Sequence, residues 1–462
     1  MSCMRNDCNI RNGICVFPDG ERNADLEIRN GRIVGIYEPG QELPSCEQEI
    51  DAKDCLIFPG MIDTHVHIRG GELDYREDFY TGSQAAAGSG ITTILEMPVC
   101  TKPPATVENF MRRIEEVKRN GAVNFGMYAA AGHDNLEEIG ELARVGAIGY
   151  KTFQMAPVAG REKEFYGMCA ETYEDMVHVM QEIAKTGLTL TVHCESQAMI
   201  NELVPIMKEK YPNSLRGFID SRPPEAEAAS VDLTIRAAKV TGCRTIIAHV
   251  SCPQSMELIL QAKAEGYPIY AETCLQYLYF DKEEMIPYGA FARMKPPFRT
   301  RAEVDRMVEL YHQGAFDVTG SDHAPYTMEE KLKHGDDIWN SVDGLYGLEL
   351  SLPLLLNLVD QGKLTPDDIA RNFSQNAAEI FRLPGKGQIA KGYDADLVLV
   401  RKREQPKIHH KEDMRCKCKE AAVIYDNIPL TCDICRTILG GETVYDGIEV
   451  TLEKGRVHIM NY

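Results

Sequence analysis

Residues 58–67 have the sequence Phe-Pro-Gly-Met-Ile-Asp-Thr-His-Val-His, in which a Pro-Gly turn precedes an apolar run that ends in two histidines. Residues two apart in a β-strand point the same way, so His65 and His67 can offer two imidazoles to one metal ion. A pair of structural histidines is the commoner explanation of an isolated His-x-His pattern. The position at the end of a first strand, directly after a turn, favours the metal site.

Beyond this segment, strand-like apolar runs alternate with stretches whose apolar residues recur at helical spacing. Residues 172–175 resemble a capping box that begins one helix, and Gly187 ends that helix. A helix predicted at 224–240 ends before Gly242 in the same way. Eight runs have the character of barrel strands: 61–65, 92–96, 123–128, 148–153, 189–193, 245–249, 269–272 and 316–319.

Eight β/α units over residues 58–384 predict an α/β protein built on a (β/α)₈ barrel, or TIM barrel. A Rossmann-like sheet is the competing architecture. That fold needs a glycine-rich turn of the form G-x-G-x-x-G after its first strand, and the sequence has none there. The barrel is therefore the prediction for the central part of the chain.

The two ends of the chain have a different pattern. Residues 1–57 contain short alternating runs separated by turn signals such as Asp19-Gly20, a pattern that predicts β-hairpins. After Gly385 this pattern returns, with strands predicted at 396–400, 421–425, 437–439 and 457–460. We predict that residues 1–57 and 385–462 form one small β-sandwich domain into which the barrel domain, residues 58–384, is inserted.

The composition is that of a globular enzyme. The chain has 462 residues, of which 44% are hydrophobic and 26% are charged, enough for a large barrel and an accessory domain. Its 70 acidic residues exceed its 50 basic residues, and the net charge of -20 predicts neither a nucleic-acid nor a membrane partner. No apolar run reaches the ~18 residues of a transmembrane helix.

Two further features predict a cytoplasmic protein. The first ten residues include Arg5 and lack the apolar core of a secretory signal. The 15 cysteines are scattered through a long chain, which favours reduced thiols over a disulfide framework. Two cysteine pairs have a spacing found in structural zinc or iron–sulfur sites, although an ordinary hairpin is favoured for the second: Cys416 with Cys418, and Cys432 with Cys435.

Polar residues that suit a metal site lie at the ends of other predicted strands. Lys151 lies in an apolar strand, where burial lowers the pKa of an amine enough for its neutral form to capture carbon dioxide as a carbamate. The two carbamate oxygens can bridge two cations; the alternative is a lysine whose ammonium reaches solvent. His193 and His249 each end a strand, and Asp322 and His323 follow the last one.

Each of these residues alone has an ordinary structural explanation, such as a hydrogen-bonded core histidine or, for Asp322, a helix N-cap. As a set, the candidates occupy the carboxyl ends of predicted strands one, four, five, six and eight. Catalytic groups of (β/α)₈ barrels gather at that rim. One binuclear metal site is a simpler explanation than five separate structural coincidences.

The chain resembles the amidohydrolase superfamily, in particular its cyclic-amidase branch of dihydroorotases, allantoinases and hydantoinases (dihydropyrimidinases). The resemblance covers essentially the whole chain, and it is much more specific for this branch than for a substrate. It is carried by several short segments: 58–69, 76–79, 81–82, 149–153, 192–196, 248–251, 272–278, 321–325 and 392–397.

The resemblance implies two metal ions, usually zinc, and all six ligand positions match. Four residues would hold the first ion: His65, His67, carboxylated Lys151 and Asp322. Three would hold the second: Lys151, His193 and His249. The two ions would share a water and lower its pKa towards ~7. The resulting hydroxide would attack a ring carbonyl, with Asp322 taking the proton as base and returning it as acid to the leaving ring nitrogen.

The motifs of the three enzymes are mixed at the positions that would contact a substrate. Arg69 matches the His-x-His-x-Arg pattern of dihydroorotases, whose arginine binds a substrate carboxylate; a surface salt bridge is an equal alternative. Gln276 matches hydantoinases, and Gly344 lies in a segment whose backbone groups would pair with a cyclic amide. His323 completes the predicted substrate contacts.

Other positions depart from each subgroup. Val99, Lys295 and Tyr326 replace residues typical of dihydroorotases, and Ala156 replaces the tyrosine that hydantoinases keep after the bridging lysine. We therefore predict hydrolytic opening of a hydantoin-like or allantoin-like ring, with dihydroorotase activity as the alternative. A non-catalytic, dihydropyrimidinase-like scaffold is the alternative of another class, but such relatives lose metal ligands that this chain keeps. The resemblance also implies a homodimer or homotetramer.

Overall fold

Two sheets organise the computed structural model, which describes residues 7–46, 48–158, 160–335 and 337–461. The chain begins with β1 (Cys8–Phe17), β2 (Gly20–Arg29), β3 (Arg32–Tyr37), β4 (Gln48–Asp51) and β5 (Cys55–Pro59). Eight strands follow: β6 (Met61–Val66), β7 (Ile91–Glu96), β8 (Asn124–Ala130), β9 (Gly149–Phe153), β10 (Thr189–His193), β11 (Arg244–Ile247), β12 (Ile269–Cys274) and β13 (Val318–Gly320). The C-terminal part adds β14 (Leu397–His409), β15 (Ile428–Leu439), β16 (Glu442–Tyr445) and β17 (Ile459–Met460).

The strands β6–β13 form the predicted barrel. They pair in parallel in the order β13-β12-β11-β10-β9-β8-β7-β6. Where the two edges of this sheet approach, the His67 N–H donates to the His323 carbonyl at 2.7 Å. The Ser321 N–H donates to Asp63 Oδ1 at 2.9 Å at the same seam. The sheet is thus nearly closed, and the (β/α)₈ fold class is confirmed.

α-Helices follow the barrel strands and surround them. In the described ranges they are α1 (Phe79–Gly88), α2 (Val107–Asn120), α3 (Ile139–Arg144), α4 (Tyr173–Thr186), α5 (Gln197–Lys210), α6 (Leu215–Asp220), α7 (Pro224–Thr241), α8 (Pro253–Ala264), α9 (Leu275–Tyr279), α10 (Lys282–Met285), α11 (Arg301–His312), α12 (Met328–Leu332), α13 (Ser351–Asp360), α14 (Pro366–Ala370) and α15 (Asn376–Ile380). None of these helices combines the length and the hydropathy that crossing a membrane requires.

The ends of α4 follow the local signals in the sequence. Thr172 Oγ1 accepts a hydrogen bond from the Asp175 N–H at 3.1 Å, and the Asp175 carboxylate accepts one from the Thr172 N–H at 3.0 Å. Gly187 ends the helix with a φ of 72°, a left-handed conformation that glycine adopts without steric cost. Such local signals make the strand–helix alternation predictable from sequence.

Both ends of the chain build the other sheet, as predicted. Its strands lie in the order β16-β15-β14-β5-β1-β2-β3, with β4 beside β1. Strand β14 pairs antiparallel with β5 on one side and with β15 on the other. The sheet therefore joins an N-terminal strand to a C-terminal one. The exact domain bounds, 1–57 with 385–462 and 58–384, stay a prediction.

One C-terminal strand prediction is wrong, and a second strand lies in the other sheet from the one predicted. Residues 421–425 lie in the 3₁₀ turns Lys419–Ala421 and Val423–Tyr425, and the buried Tyr425 hydroxyl accepts a hydrogen bond from Gln276 of the barrel. At 457–460, the short β17 pairs in parallel with β8 of the barrel and not with the accessory sheet. A short apolar run predicts burial, but it does not specify the partner or the backbone conformation that provides it.

The cysteines in the described ranges are free thiols. Cys416 and Cys418 lie between β14 and β15, where Cys418 Sγ is 3.1 Å from the carbonyl oxygen of Arg76 in the barrel domain. Cys432 and Cys435 lie in β15, which pairs with β14 and β16 as an ordinary hairpin strand. The two pairs therefore belong to different elements.

Candidate active site

A cavity of about 360 Å³ opens at the carboxyl ends of the barrel strands. Its lining includes the six predicted metal ligands: His65, His67, Lys151, His193, His249 and Asp322. They lie on β6, β9 and β10 or shortly after β6, β11 and β13. The barrel topology therefore brings together side chains that are far apart in the sequence.

Three of these side chains form one close group. The Nε2 atoms of His65 and His67 lie 3.5 Å and 3.4 Å from Asp322 Oδ1. Neighbouring ligands of a tetrahedral cation with bonds of about 2.0–2.1 Å stand about 3.3 Å apart. The spacings of this group therefore suit donors that share one ion.

His193 and His249 form a second close group. Nδ1 of His193 lies 3.1 Å from Nε2 of His249, again near the spacing of two ligands on one ion. The ring centres of His65 and His249 are 5.3 Å apart, so the second group adjoins the first. Lys151 is fully buried in the same cavity, and its Nζ has no hydrogen-bond partner among the described residues.

Burial favours the neutral forms of three of the histidines and of Lys151. It lowers the pKa of His67 to about 3 and shifts the pKa values of His193 and His249 downward as well. Neutral imidazole is the form that binds a metal. Burial also lowers the pKa of Lys151 to about 8, which leaves part of the amine neutral near neutral pH, as carbamate formation requires.

Buried carboxylates behind the histidines fix the orientation of the rings. Glu272 Oε1 lies 2.6 Å from His65 Nδ1 and accepts a hydrogen bond from the His249 N–H at 3.2 Å. Glu195 Oε2 lies 3.1 Å from His193 Nε2. These contacts leave Nε2 of His65 and Nδ1 of His193 facing the cavity, as metal ligands supported by a second layer of residues do.

Three residues of the site have left-handed backbone conformations that residues other than glycine rarely adopt. The φ values are 36° for His249, 47° for Asp322 and 70° for Arg69. Each such conformation costs about 1–3 kcal/mol and persists only where the surrounding structure imposes it. Their concentration around one cavity indicates a functional geometry.

Arg69 and Tyr326 form a polar part of the cavity wall. Arg69 is buried and donates from Nη2 to the Tyr326 hydroxyl at 3.4 Å. Its Nε and Nη1 have no hydrogen-bond partner among the described residues. Because Arg69 is not at the surface, the surface salt-bridge alternative is wrong. The cavity instead contains a guanidinium with donors free for a bound molecule.

Gly344 lies in the cavity wall within residues 341–344. Its N–H donates to the Arg293 carbonyl at 3.0 Å, and its carbonyl accepts from Lys331 Nζ at 2.8 Å. The neighbouring Asp343 carboxylate lies 2.7 Å from Arg293 Nε and 2.8 Å from Lys295 Nζ. This segment is therefore held against the cavity by several cations.

Gln276 and His323 are placed behind the cavity wall. Gln276 is fully buried and donates from Nε2 to the Ser321 carbonyl at 2.9 Å and to the Tyr425 hydroxyl at 3.2 Å. His323 is also fully buried, and its ring packs edge-on against Tyr346. In this structure both residues support the segment after β13 instead of lining the cavity.

Several candidate functional residues were missing from the sequence-based site. Glu195 lies two residues after His193, a spacing that sequence alone could have marked as a partner. Glu272 lies near the carboxyl end of a barrel strand, β12, as the predicted ligands lie near the ends of theirs. Arg161 and Asp343 line the cavity from irregular segments, where no periodic pattern predicts where a side chain lies.

A model of the amidohydrolase family matches residues 56–444, which include the complete barrel and the cavity residues. The chain belongs to the amidohydrolase family. Its position in the cyclic-amidase branch follows from full-length relatives. An allantoinase of Bacillus licheniformis is 34% identical over 450 residues, which cover 96% of this chain and 97% of the relative. An L-hydantoinase of Paenarthrobacter aurescens is 30% identical over 452 residues, covering 97% and 96%.

Solved structures agree with this placement. The L-hydantoinase (dihydropyrimidinase) from Arthrobacter aurescens superimposes with a TM-score of 0.93 at 29% identity, covering 99% of this chain and all of that one. A D-hydantoinase superimposes with a TM-score of 0.88 at 25% identity. This amidohydrolase is therefore a hydrolase of carbon–nitrogen bonds in cyclic amides, with a group of candidate metal ligands at its barrel rim.

Replacing Glu272 with glutamine in this amidohydrolase should weaken metal binding about 10–100-fold, because His65 loses the anionic acceptor that orients its ring. A titration with zinc against a competing chelator measures the affinity. Glu257→Gln, at an exposed position on α8, is the matched control and should bind as the unchanged protein does. Equal affinity in both variants would contradict the assigned role.

Proposed function

We propose that this amidohydrolase opens a hydantoin-like or allantoin-like ring at a centre of two divalent cations. The observation that carries the proposal is the convergence of six donor side chains in one cavity, where five of them form two adjoining groups and Lys151 is the sixth. Zinc fits the mixture of imidazole and carboxylate ligands. When bound, two such cations polarise a carbonyl oxygen and make a water molecule more acidic.

Lys151 bridges the two groups in this proposal after it has reacted with carbon dioxide. Three features of the unmodified side chain support this role: full burial, a pKa of about 8 and an Nζ without a hydrogen-bond partner among the described residues. The carbamate would place one oxygen towards His65 and His67 and the other towards His193 and His249. It would also remove the cost of an unpartnered buried amine.

Asp322 moves the proton. Its Oδ1 faces His65 in β6 and His67 directly after β6. Oδ2 is therefore left to accept a proton from the attacking water and to return it to the ring nitrogen. The carboxylate is in the form that this role needs, because hydrogen bonding to His67 helps to hold its pKa below the ordinary value in spite of burial. The product is an open-chain acid with an amide or ureido group.

Arg69 selects the substituent of the ring. Its free donors face a cavity whose other walls include the apolar Val99 and Phe165, so the site suits a ring with one acceptor-bearing or anionic group. A dihydroorotate-type substrate, which carries a carboxylate, is the second candidate that this observation favours.

A homodimer or homotetramer and a cytoplasmic location stay predictions.

The test of the proposed function is a panel of rings offered to the zinc-loaded enzyme. Hydantoin, phenylhydantoin, allantoin, dihydrouracil and dihydroorotate should be compared, with ring opening followed by ultraviolet absorbance. We expect turnover of at least one ring and two zinc ions per chain. A protein that binds no metal, opens none of these rings and instead holds a protein partner would support the scaffold alternative.

An Arg69→Met variant should raise the KM about 10–100-fold for the rings that carry an anionic or acceptor group, since it removes a charged hydrogen bond. The KM for unsubstituted hydantoin should change little. Arg112→Met, at an exposed position on α2, is the control for the loss of an arginine. The same fold-change in KM for every ring, unsubstituted hydantoin included, would show that Arg69 does not select the substituent.

A further inference from the structure

Lys331 lies beneath the part of the cavity wall formed by residues 342–344. It is on α12, fully buried, and its Nζ faces three backbone carbonyl oxygens. The distances are 3.1 Å to Ala290, 3.3 Å to Val342 and 2.8 Å to Gly344. An ammonium has three N–H donors, so this arrangement matches the protonated side chain.

The segment that Lys331 holds lines the cavity in which we propose that the substrate binds. Val342 and Gly344 flank Asp343, and all three line the cavity. The segment also bonds back to α12, because the hydroxyl of Ser341, the residue before Val342, donates to the Lys331 carbonyl at 3.1 Å. Lys331 is therefore one of the cations that hold this wall, and it does so from outside the cavity.

The surroundings of Lys331 leave its charge weakly supported. Asp343 favours the ammonium, whereas Arg293 opposes it, and the ring of Tyr326 lies 5.9 Å from Nζ. The adjacent Glu330 is engaged by Arg76, with an Nε–Oε1 distance of 2.8 Å. Burial is the largest influence and lowers the pKa of Lys331 to about 7.

Deprotonation would remove one of the three donors and turn a nitrogen lone pair towards a carbonyl oxygen. A carbonyl left unpartnered in a buried place is unfavourable, so the segment would shift to satisfy it. We propose that Lys331 is a positioning residue that holds residues 342–344 in the substrate-binding arrangement only as an ammonium, so that substrate affinity falls as the pH rises through neutrality. This proposal rests on the proposed function, because it requires the substrate to bind against residues 342–344.

The first test is the KM of the zinc-loaded enzyme between pH 6 and pH 9. We expect KM to rise at least 5-fold over this range in the unchanged protein and to stay level in Lys331→Arg, whose guanidinium keeps its charge. Lys331→Met should have the raised KM at every pH. Lys333→Met, at an exposed position after the same helix, should follow the unchanged protein. The same rise in Lys331→Arg would overturn the proposal.

The second test needs no turnover. Amide hydrogen exchange of residues 341–345, corrected for the intrinsic dependence on pH, should be at least 5-fold faster at pH 9 than at pH 6 in the substrate-free, zinc-loaded protein. Lys333→Met should show the same change, which Lys331→Met should lack. Exchange independent of pH in the unchanged protein would overturn the proposal. Failure of the proposed function appears separately, as the absence of ring opening across the panel.

Discussion

An Asp322→Asn variant is expected to lose about 10³-fold in kcat while it keeps the fold, because an amide cannot take a proton from water and return it to a ring nitrogen. Asparagine has the shape of aspartate and also tolerates the left-handed backbone found here, with a φ of 47°. The substitution therefore tests the chemistry of one oxygen atom with little change in packing. A lower kcat at full zinc content would be due to the missing proton acceptor.

The kcat should be measured on the best ring of the panel, together with the zinc content and the thermal unfolding midpoint. Asp305→Asn, at an exposed position on α11, is the matched control and should leave all three unchanged. A variant at residue 322 with both zinc ions and a near-normal rate would show that another group carries the proton. Loss of zinc alongside activity would show that the carboxylate acts mainly as a ligand.

A Lys151→Ala variant is expected to bind at least one fewer metal ion per chain and to lose about 10³-fold in kcat/KM. The reason is that Lys151 lines the same cavity as both groups of histidines, and in the proposed function its carbamate would be shared by both ions. A short carboxylic acid such as propionate fits the space of the missing side chain and should restore part of the activity.

Metal content per chain and rate with and without propionate are the measurements. Lys163→Ala, an exposed lysine in the segment after β9, should behave as the unchanged protein does. Mass spectrometry of the unchanged protein under native conditions should also show the added mass of one carbon dioxide. Retention of both metal ions and full activity in Lys151→Ala would rule out the bridging carbamate.

The barrel was predictable because its signals are local. Capping residues such as Thr172 and terminal glycines such as Gly187 mark the ends of helices, and each predicted barrel strand overlaps an observed one. The turns at 419–425 were not predictable, because Tyr425 is buried by a contact with Gln276 that is distant in sequence. An apolar run states that a segment is buried and does not identify its partner.

The candidate site was also predictable only in part, for its metal ligands but not for its substrate contacts. The six predicted ligands lie at strand ends, which parallel topology brings to one rim, and the structure places them in one cavity. The substrate side depends on irregular segments: Arg69 faces the cavity with free donors, whereas Gln276 and His323 do not line it. Lys331 was missed because it acts through backbone atoms of other residues.

On the ribosome, β5 emerges long before β14, which pairs with it antiparallel on the side opposite β1. Until residues 397–409 have been translated, that side of β5 has unpaired N–H and carbonyl groups, which are a template for aggregation. The intervening barrel must bring the late strand back to the early one before this edge is covered. A nascent chain that stalls before residue 397 would therefore keep an unpaired strand edge that is prone to aggregation, even when its barrel has folded.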